Sequence, residues 1–91
     1  MIIVDKPRDR GWRLGPNSHL ISTLPGLAGT EELLAFSKRI HLREGWIQHR
    51  GGPQEHFDLT TAKHAWALRL GAKLVDRGAF VSAIRLKRGD Q

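Results

Sequence analysis

The sequence predicts a small α/β domain, or an α+β variant of it, in which a single sheet forms a sandwich with two or three helices. Three observations support this prediction: short apolar segments rich in Ile, Leu and Val, two segments with helical periodicity, and Gly or Pro at the boundaries. The segments follow in the order strand, strand, helix, strand, helix, strand. The 91 residues suffice for one domain, with a core over about residues 1–76 and a basic C-terminal segment over 77–91.

Four short apolar segments are predicted strands. Lys6-Pro7 ends the first, because proline has no N–H to donate to a ladder and restricts the residue before it. Pro25-Gly26 closes the second, and glycines flank the third. The four segments are "MIIVD" at residues 1–5, "HLISTL" at 19–24, "GWIQH" at 45–49 and "AKLV" at 72–75.

The first helix is predicted over Thr30 to Ile40. Thr30 is the expected N-cap, since a hydroxyl can accept from the free N–H groups of the first turn. Leu33, Phe36 and Ile40 recur at i, i+3 and i+7, which gives the helix one apolar face.

The second helix is predicted to begin after Asp58 or Thr60, which are alternative N-caps, and to run to Leu70. Gly71 follows at the position where glycine commonly ends a helix. Trp46 and Trp66 are both expected in the core.

Residues 78–88 fit two structures. Phe80, Ala83 and Ile84 have helical spacing, which favours a basic helix. The alternative is the return arm of a hairpin that turns at residues 76–78.

Composition limits the class of protein. The chain has 15 Lys and Arg against 9 Asp and Glu, so polyanions are candidate partners. The excess lies at the two ends, which indicates a nucleic-acid face less strongly than a basic stripe on one helix would. There is no cysteine, which excludes disulfides and thiolate zinc sites. No stretch resembles a signal peptide or a membrane span, so we expect a cytoplasmic protein with no membrane partner.

His56 and Asp58 form the first candidate site. In an extended segment both side chains point to one side, while Phe57 between them points into the core. A carboxylate beside an imidazole fixes its tautomer and raises its basicity, as a general base or a metal ligand requires. The competing interpretation is that Asp58 only caps the helix and that His56 is an exposed loop residue.

Asp5 and His19 are candidates for the same site. Asp5 ends the first predicted strand, a position that lines the ligand crevice in many sheet-and-helix folds. The alternative, equally weighted, is a turn carboxylate that bonds the amides around Pro7. Together with His56 and Asp58, this pair would supply two carboxylates and two imidazoles, a set that can hold a divalent metal. Neither His-x3-His nor Glu-x-x-His spacing supports that metal, so it is the less favoured interpretation.

The loop after the first strand holds a second constellation. Arginine forks bind phosphate oxygens in pairs, and an indole can stack on a base. The alternative is a solvated loop with its tryptophan folded onto the core. The residues concerned are Arg8, Arg10, Trp12 and Arg13.

The order of these landmarks resembles a family of small bacterial and phage proteins known as domain of unknown function 4031. The resemblance covers residues 1 to about 75. Phe57 replaces the family's usual tyrosine, and His41 stands where the family has glycine at the end of the first helix. The matching elements are "IIVD" ending at Asp5, His19-Leu20, Glu32-Leu33, Trp46, His56-Phe57-Asp58 and Gly71-Ala72.

The resemblance implies no activity, but it strengthens the four polar candidates Asp5, His19, His56 and Asp58. We therefore expect a domain that recognises a phosphate-bearing ligand, either a nucleotide or a nucleic acid. Hydrolysis is the chemistry such a site would perform, with His56 as general base oriented by Asp58.

Two alternatives to this function stay open. One is a non-enzymatic interaction protein, phage-borne, that binds a host protein; the other is metal-dependent hydrolysis at the four residues. The sequence does not indicate an oligomeric state.

Overall fold

The computed structural model describes residues 1–89, which form one four-stranded sheet and three α-helices. The elements in chain order are β1 (Ile2–Val4), β2 (Ser18–Ser22), α1 (Gly26–Arg39), a 3-10 turn (Glu44–Trp46), β3 (Phe57–Leu59), α2 (Thr61–Arg69), β4 (Lys73–Leu74) and α3 (Arg77–Arg88).

The sheet is mixed, with the strand order β3-β2-β1-β4. β2 is antiparallel to both β1 and β3, and β4 is parallel to β1. The predicted fold class is thus confirmed in its α+β form. The β2–β3 register places His19 directly opposite Asp58.

The two faces of the sheet belong to two separate apolar clusters. Val4 and Leu20 pack in the larger cluster with residues of α1 and α2. Ile3 and Ile21, which point to the opposite face, pack with Phe80 of α3. Helix α3 therefore covers the face that also carries His19, because His19 and Ile21 are two residues apart on β2.

The predicted start of the first helix is wrong. α1 begins at Gly26, and Thr30 is a buried residue inside it rather than its N-cap. The Thr30 hydroxyl donates to Glu55 instead, at 2.6 Å. Residues 26–29 have no apolar periodicity, so nothing in the local pattern marks the first turn. At α2 the cap is Thr60, which accepts from the Lys63 N–H at 3.2 Å, so Asp58 is not a cap.

The segment "GWIQH" is not a strand. Its first part lies in the 3-10 turn, and Gln48 makes only an isolated bridge with His56. The ladder stops there because His49 adopts φ 54° in the left-handed region. Trp46 is 53% exposed and is not a core residue, whereas Trp66 packs partly buried against the larger cluster.

The remaining strand predictions are confirmed by β1, β2 and β4, and the last segment is the favoured helix, α3. Asp76 caps α3 by accepting from the Ala79 N–H at 2.8 Å. The strand β3 is not among the four predicted strands, although its side-chain directions agree with the extended segment expected around Phe57. Phe57 is buried and Asp58 lies on the other side.

His41 ends α1 in the same way that Gly71 ends α2. In both, the last N–H groups turn back onto carbonyls of the final turn, as in a Schellman motif. His41 N–H bonds Lys38 O at 3.2 Å and Leu42 N–H bonds Ser37 O at 3.0 Å. His41 adopts φ 58° to do so, which is strained for a residue with a Cβ.

We expect His41→Gly to raise the free energy of unfolding by about 0.5–1 kcal/mol, because glycine removes that strain. Loss of the ring contact with Trp66, at 5.2 Å between centroids, limits the gain. Urea denaturation of both proteins measures this change in the free energy of unfolding. Gly71→Ala is the matched change, at φ 104°, and should lower the same free energy. Stabilisation by both changes would contradict this account.

His64 links α2 to the sheet. Its Nδ1 lies 2.9 Å from the Ser18 hydroxyl in the core. Burial lowers the pKa of His64 below its ordinary value of 6.5, and the negative charge of Asp5 offsets only part of that effect. The unfolded chain therefore takes up a proton at a higher pH than the folded protein does.

Stability should consequently fall as the pH drops from about 6.5 towards the lowered folded pKa, and level off below it. We expect His64→Gln to reduce this loss, since glutamine can still bond Ser18 and does not titrate. Unfolding free energies at about pH 7.5 and about pH 5, on either side of the ordinary histidine pKa, measure the difference for both proteins. Equal pH dependence in the two would show that His64 contributes nothing to it.

Candidate functional site

The candidate site lies on the α3 face of the sheet, where β2 and β3 pair. His19 and Asp58 are opposite each other in the ladder, and Phe57 and Leu59 point away from them into the core. His56 precedes Asp58 by two residues, and its ring meets that of His19 edge-on at 5.3 Å between centroids. Strand alternation therefore brings three polar side chains to one spot.

Asp5 holds His19 in place. It follows β1, and its two oxygens accept from the His19 backbone N–H at 2.6 Å and from the ring Nδ1 at 2.9 Å. Burial raises the pKa of Asp5, but these bonds from His19, with the electrostatic attraction of the His19 ring and of Arg10, outweigh burial and lower the pKa overall. Asp5 is therefore a carboxylate that accepts a hydrogen bond from the Nδ1–H of His19. In a neutral His19 ring the lone pair is then on Nε2, which is the basic atom.

His56 is fixed in the same tautomer by a different group. Its Nδ1 lies 2.7 Å from the carbonyl oxygen of Gln54. A carbonyl only accepts, so Nδ1 carries the hydrogen and Nε2 of the neutral ring carries the lone pair. The tautomers of both histidines follow from their hydrogen-bond partners.

Asp58 faces both free imidazole nitrogens. Its Oδ1 lies 3.6 Å from His19 Nε2 and 3.7 Å from His56 Nε2, which is too long for a hydrogen bond in either case. Gln48 donates to Oδ2 at 2.6 Å, and Asn17 donates weakly to Oδ1 at 3.4 Å. One ligand atom from each of His19, His56 and Asp58 lies within 4.8 Å of the others, so these three could hold a metal ion.

A cleft of about 200 Å³ opens beside the two imidazoles. One wall is α3, and the remaining lining comes from β2 and the loop before β3. The lining residues are His19, Ile21, Gln54, His56, Phe80 and Ile84. The sequence pattern predicts Phe80 and Ile84 only as the apolar face of a helix, and nothing in it indicates that they border a site.

A second, smaller cavity of about 30 Å³ is strongly cationic. It is lined by Asp5, Lys6, Arg8, Arg10 and Arg77. The Asp5–His19 pair stands between this cationic cavity and the cleft, since Asp5 lines one and His19 the other.

The structure thus brings together Asp5, His19, His56 and Asp58, and places Arg8 and Arg10 beside them. Trp12 and Arg13 are not among the residues that line either cavity. Sequence reasoning missed Asn17 and Gln48, which orient Asp58, and Arg77, which reaches the cavity from α3. Lone amide residues and a helical arginine have no pattern that could have singled them out.

Fold and site together define a small α+β protein with a histidine–carboxylate centre between a cleft and a cationic cavity. The chain belongs to the family described as Protein of unknown function (DUF4031), whose model matches residues 2–87 and so includes most of α3. Searches of curated proteins and of solved structures found no significant match. Among the described residues 1–89, no helix has the length and apolar character needed to cross a membrane.

Proposed function

We propose that this protein binds a phosphate-bearing ligand, a nucleotide or a nucleic acid, and hydrolyses it. One observation supports this most: a cavity with four cationic side chains is lined by Asp5, which also bonds His19 of the histidine–carboxylate centre. Arginine and lysine are the usual donors to phosphate oxygens. The cytoplasmic location stays a prediction.

The two cavities suggest how such a ligand would lie. A phosphate oxygen would lie in the cationic cavity, where Arg8 and Arg77 approach from a loop and from α3. The less polar part of the ligand would occupy the cleft against Phe80 and Ile84. The scissile bond would then lie near the two free Nε2 atoms.

The geometry favours His19 over His56 as the general base of this reaction. Asp5 bonds the Nδ1 of His19, which is the arrangement that keeps Nε2 basic and stabilises the protonated ring. Asp58 approaches the Nε2 of His56 instead, at 3.7 Å, and so does not orient that ring from behind.

Ligand binding would test the proposal. The probes are mononucleotides and a single-stranded oligonucleotide, with the dissociation constant measured by fluorescence titration at low salt. We expect Arg77→Ala and Arg8→Ala each to raise the dissociation constant by roughly 10- to 150-fold, since a charge-assisted hydrogen bond contributes about 1.5–3 kcal/mol. Arg13→Ala is the matched control, because Arg13 belongs to the same basic loop and is not among the residues that line the cavity.

An equal loss for Arg13→Ala would indicate attraction to net charge alone and contradict a site at the cationic cavity. For the oligonucleotide, affinity should fall linearly with salt on logarithmic axes. Release of nucleoside or shorter oligonucleotide by the wild type, abolished by His19→Ala, is the expected result for hydrolysis. Ligand binding without any turnover would contradict the proposed hydrolysis and leave the proposed binding in place.

A further inference from the structure

We infer that His19 Nε2, His56 Nε2 and a carboxylate oxygen of Asp58 form a binding site for one divalent transition-metal ion, such as Zn²⁺, Co²⁺ or Mn²⁺. The inference deepens the proposed hydrolysis and rests on it for the ion's chemical role. Metal binding itself can be measured without any substrate.

The first argument is the tautomer of each histidine. A metal ligand must present a nitrogen lone pair, and in proteins the other ring nitrogen of such a histidine donates to a carboxylate, carbonyl or water. His19 does so to Asp5 and His56 does so to Gln54. Two independent hydrogen bonds thus leave both lone pairs on Nε2.

The second argument is the closeness of the three atoms. Both Nε2 atoms approach the same oxygen of Asp58, from two different segments of chain, at 3.6 and 3.7 Å. Neither nitrogen has a hydrogen to donate in the tautomers just described, so three atoms with unshared electron pairs lie close together. A cation among them converts that repulsion into attraction.

The carboxylate is also oriented from outside. Gln48 and Asn17 donate to Asp58, and Asn17 in turn accepts from Arg10. Each of the three ligands therefore has a partner behind it, as ligands in metal sites do. An ordinary surface ion pair would not need all three to be positioned in this way.

Distances and ligand types indicate the kind of ion. Bonds of about 2.0–2.1 Å in a tetrahedron separate ligand atoms by roughly 3.3–3.4 Å. The distances from Asp58 Oδ1 to the two Nε2 atoms, 3.6 and 3.7 Å, are only slightly longer than this, and one ligand atom from each of the three residues lies within 4.8 Å of the others. Small rotations of these partly exposed side chains would shorten the distances to the tetrahedral values. Two imidazoles and one carboxylate suit Zn²⁺, Co²⁺, Fe²⁺ or Mn²⁺ better than Ca²⁺ or Mg²⁺.

Three protein ligands leave a coordination position for water, and His19 and His56 themselves line the cleft. A bound divalent ion lowers the pKa of its water towards neutrality and so supplies the nucleophile for hydrolysis. With the ion bound, His19 is a ligand and Asp5 is its positioning residue; the role of general base proposed above for His19 belongs to the metal-free site.

The test is titration of the chelator-stripped, full-length protein with Zn²⁺ by calorimetry and with Co²⁺ by visible absorption. We expect one equivalent to bind. His19→Ala, His56→Ala and Asp58→Ala should each weaken binding by roughly 100-fold or more and remove the Co²⁺ bands. His41→Gly is the control, since it deletes a histidine that is not part of the site, and it should leave the affinity nearly unchanged. Circular dichroism establishes that each variant is folded.

Asp5→Asn tests the positioning role. It should retain one equivalent of metal with an affinity roughly 10- to 100-fold lower, which is the usual effect of losing a partner behind a ligand. In the metal-free protein, ¹⁵N-edited NMR of the histidine rings should show the hydrogen on Nδ1 for both His19 and His56. Hydrogens on Nε2 would overturn the inference, because neither lone pair would then point inwards.

Failure of this inference differs from failure of the proposed function. No binding of Zn²⁺ or Co²⁺ by the wild type, or binding unchanged in all three alanine variants, overturns the metal site. Nucleotide binding sensitive to Arg77 would in that case still support the phosphate site. Conversely, metal binding by these three residues without any nucleotide or oligonucleotide binding would support the metal site and contradict the proposed phosphate-bearing ligand.

Discussion

Glu55→Ala is expected to lower the free energy of unfolding by about 3 kcal/mol. Glu55 is 1% exposed, and its carboxylate accepts from the Thr30 hydroxyl at 2.6 Å and the Gly51 N–H at 2.7 Å. It also lies near Lys87, whose Nζ is buried without a hydrogen-bond partner among residues 1–89. Alanine would leave the Gly51 N–H without its side-chain acceptor, would reduce the bonding of the buried Thr30 hydroxyl to its long contact with Gly26 O at 3.4 Å, and would remove the negative charge near the buried Lys87 Nζ.

The measurement is urea denaturation, with Glu44→Ala as the matched control. Glu44 is exposed and pairs with Arg50 at 3.4 Å, so its loss should change stability by no more than about 0.5 kcal/mol. Lys87→Met should recover part of the Glu55→Ala loss, because the unpaired ammonium is then absent. Similar effects for the two glutamates would mean that the Glu55 carboxylate is not the buried acceptor described here.

The same variant should affect the site. Glu55 precedes His56 and fixes the turn that contains Gly51, so its removal loosens the segment that presents the His56 ring. We therefore expect metal affinity to fall in Glu55→Ala even at temperatures where the protein stays folded.

Gly29→Ala is the second large effect, with an expected loss of about 3 kcal/mol in the free energy of unfolding. A Cβ at Gly29 would overlap the backbone carbonyl of Leu24, and its only relief is a shift of helix α1 away from the segment that follows β2. Alanine ordinarily stabilises a helix by about 1 kcal/mol relative to glycine, so this loss has the opposite sign to propensity.

Thermal or urea unfolding measures the change, and Gly45→Ala is the control, since a Cβ there meets nothing within 4 Å. The control should leave stability nearly unchanged. A stabilised Gly29→Ala protein would show that α1 does not approach Leu24 as closely as the structure has it.

The apolar segments are predictable because their signals are local. β1, β2 and the end of α2 follow from β-branched runs, Pro7 and Gly71, all read within a few residues. The start of α1 is not predictable in this way, because residues 26–29 have no apolar repeat and Thr30, which has the character of an N-cap, instead bonds Glu55, 25 residues away in the chain. "GWIQH" has the composition of a strand, but the left-handed turn at His49 limits it to one bridge.

The candidate site is likewise predictable only where the signal is local. Strand parity alone predicts that His56 and Asp58 lie on one side of the chain. The partner of each side chain is not predictable from strand parity. Asp5 bonds His19 rather than the amides around Pro7, and Asp58 lies close to two imidazole rings instead of orienting one. Those pairings depend on the β1–β2 and β2–β3 registers, which no short motif encodes.

The position of α3 also has a consequence for shortened chains. Arg77, Phe80 and Ile84 supply one side of the two cavities, and they come from the last described helix, whereas Asp5 follows the first strand. A chain that ended before Arg77 would keep the histidine–carboxylate centre but would lack this wall and leave Ile3 and Ile21 without their partner Phe80. We therefore expect truncation before α3 to remove the cleft and the cationic cavity together.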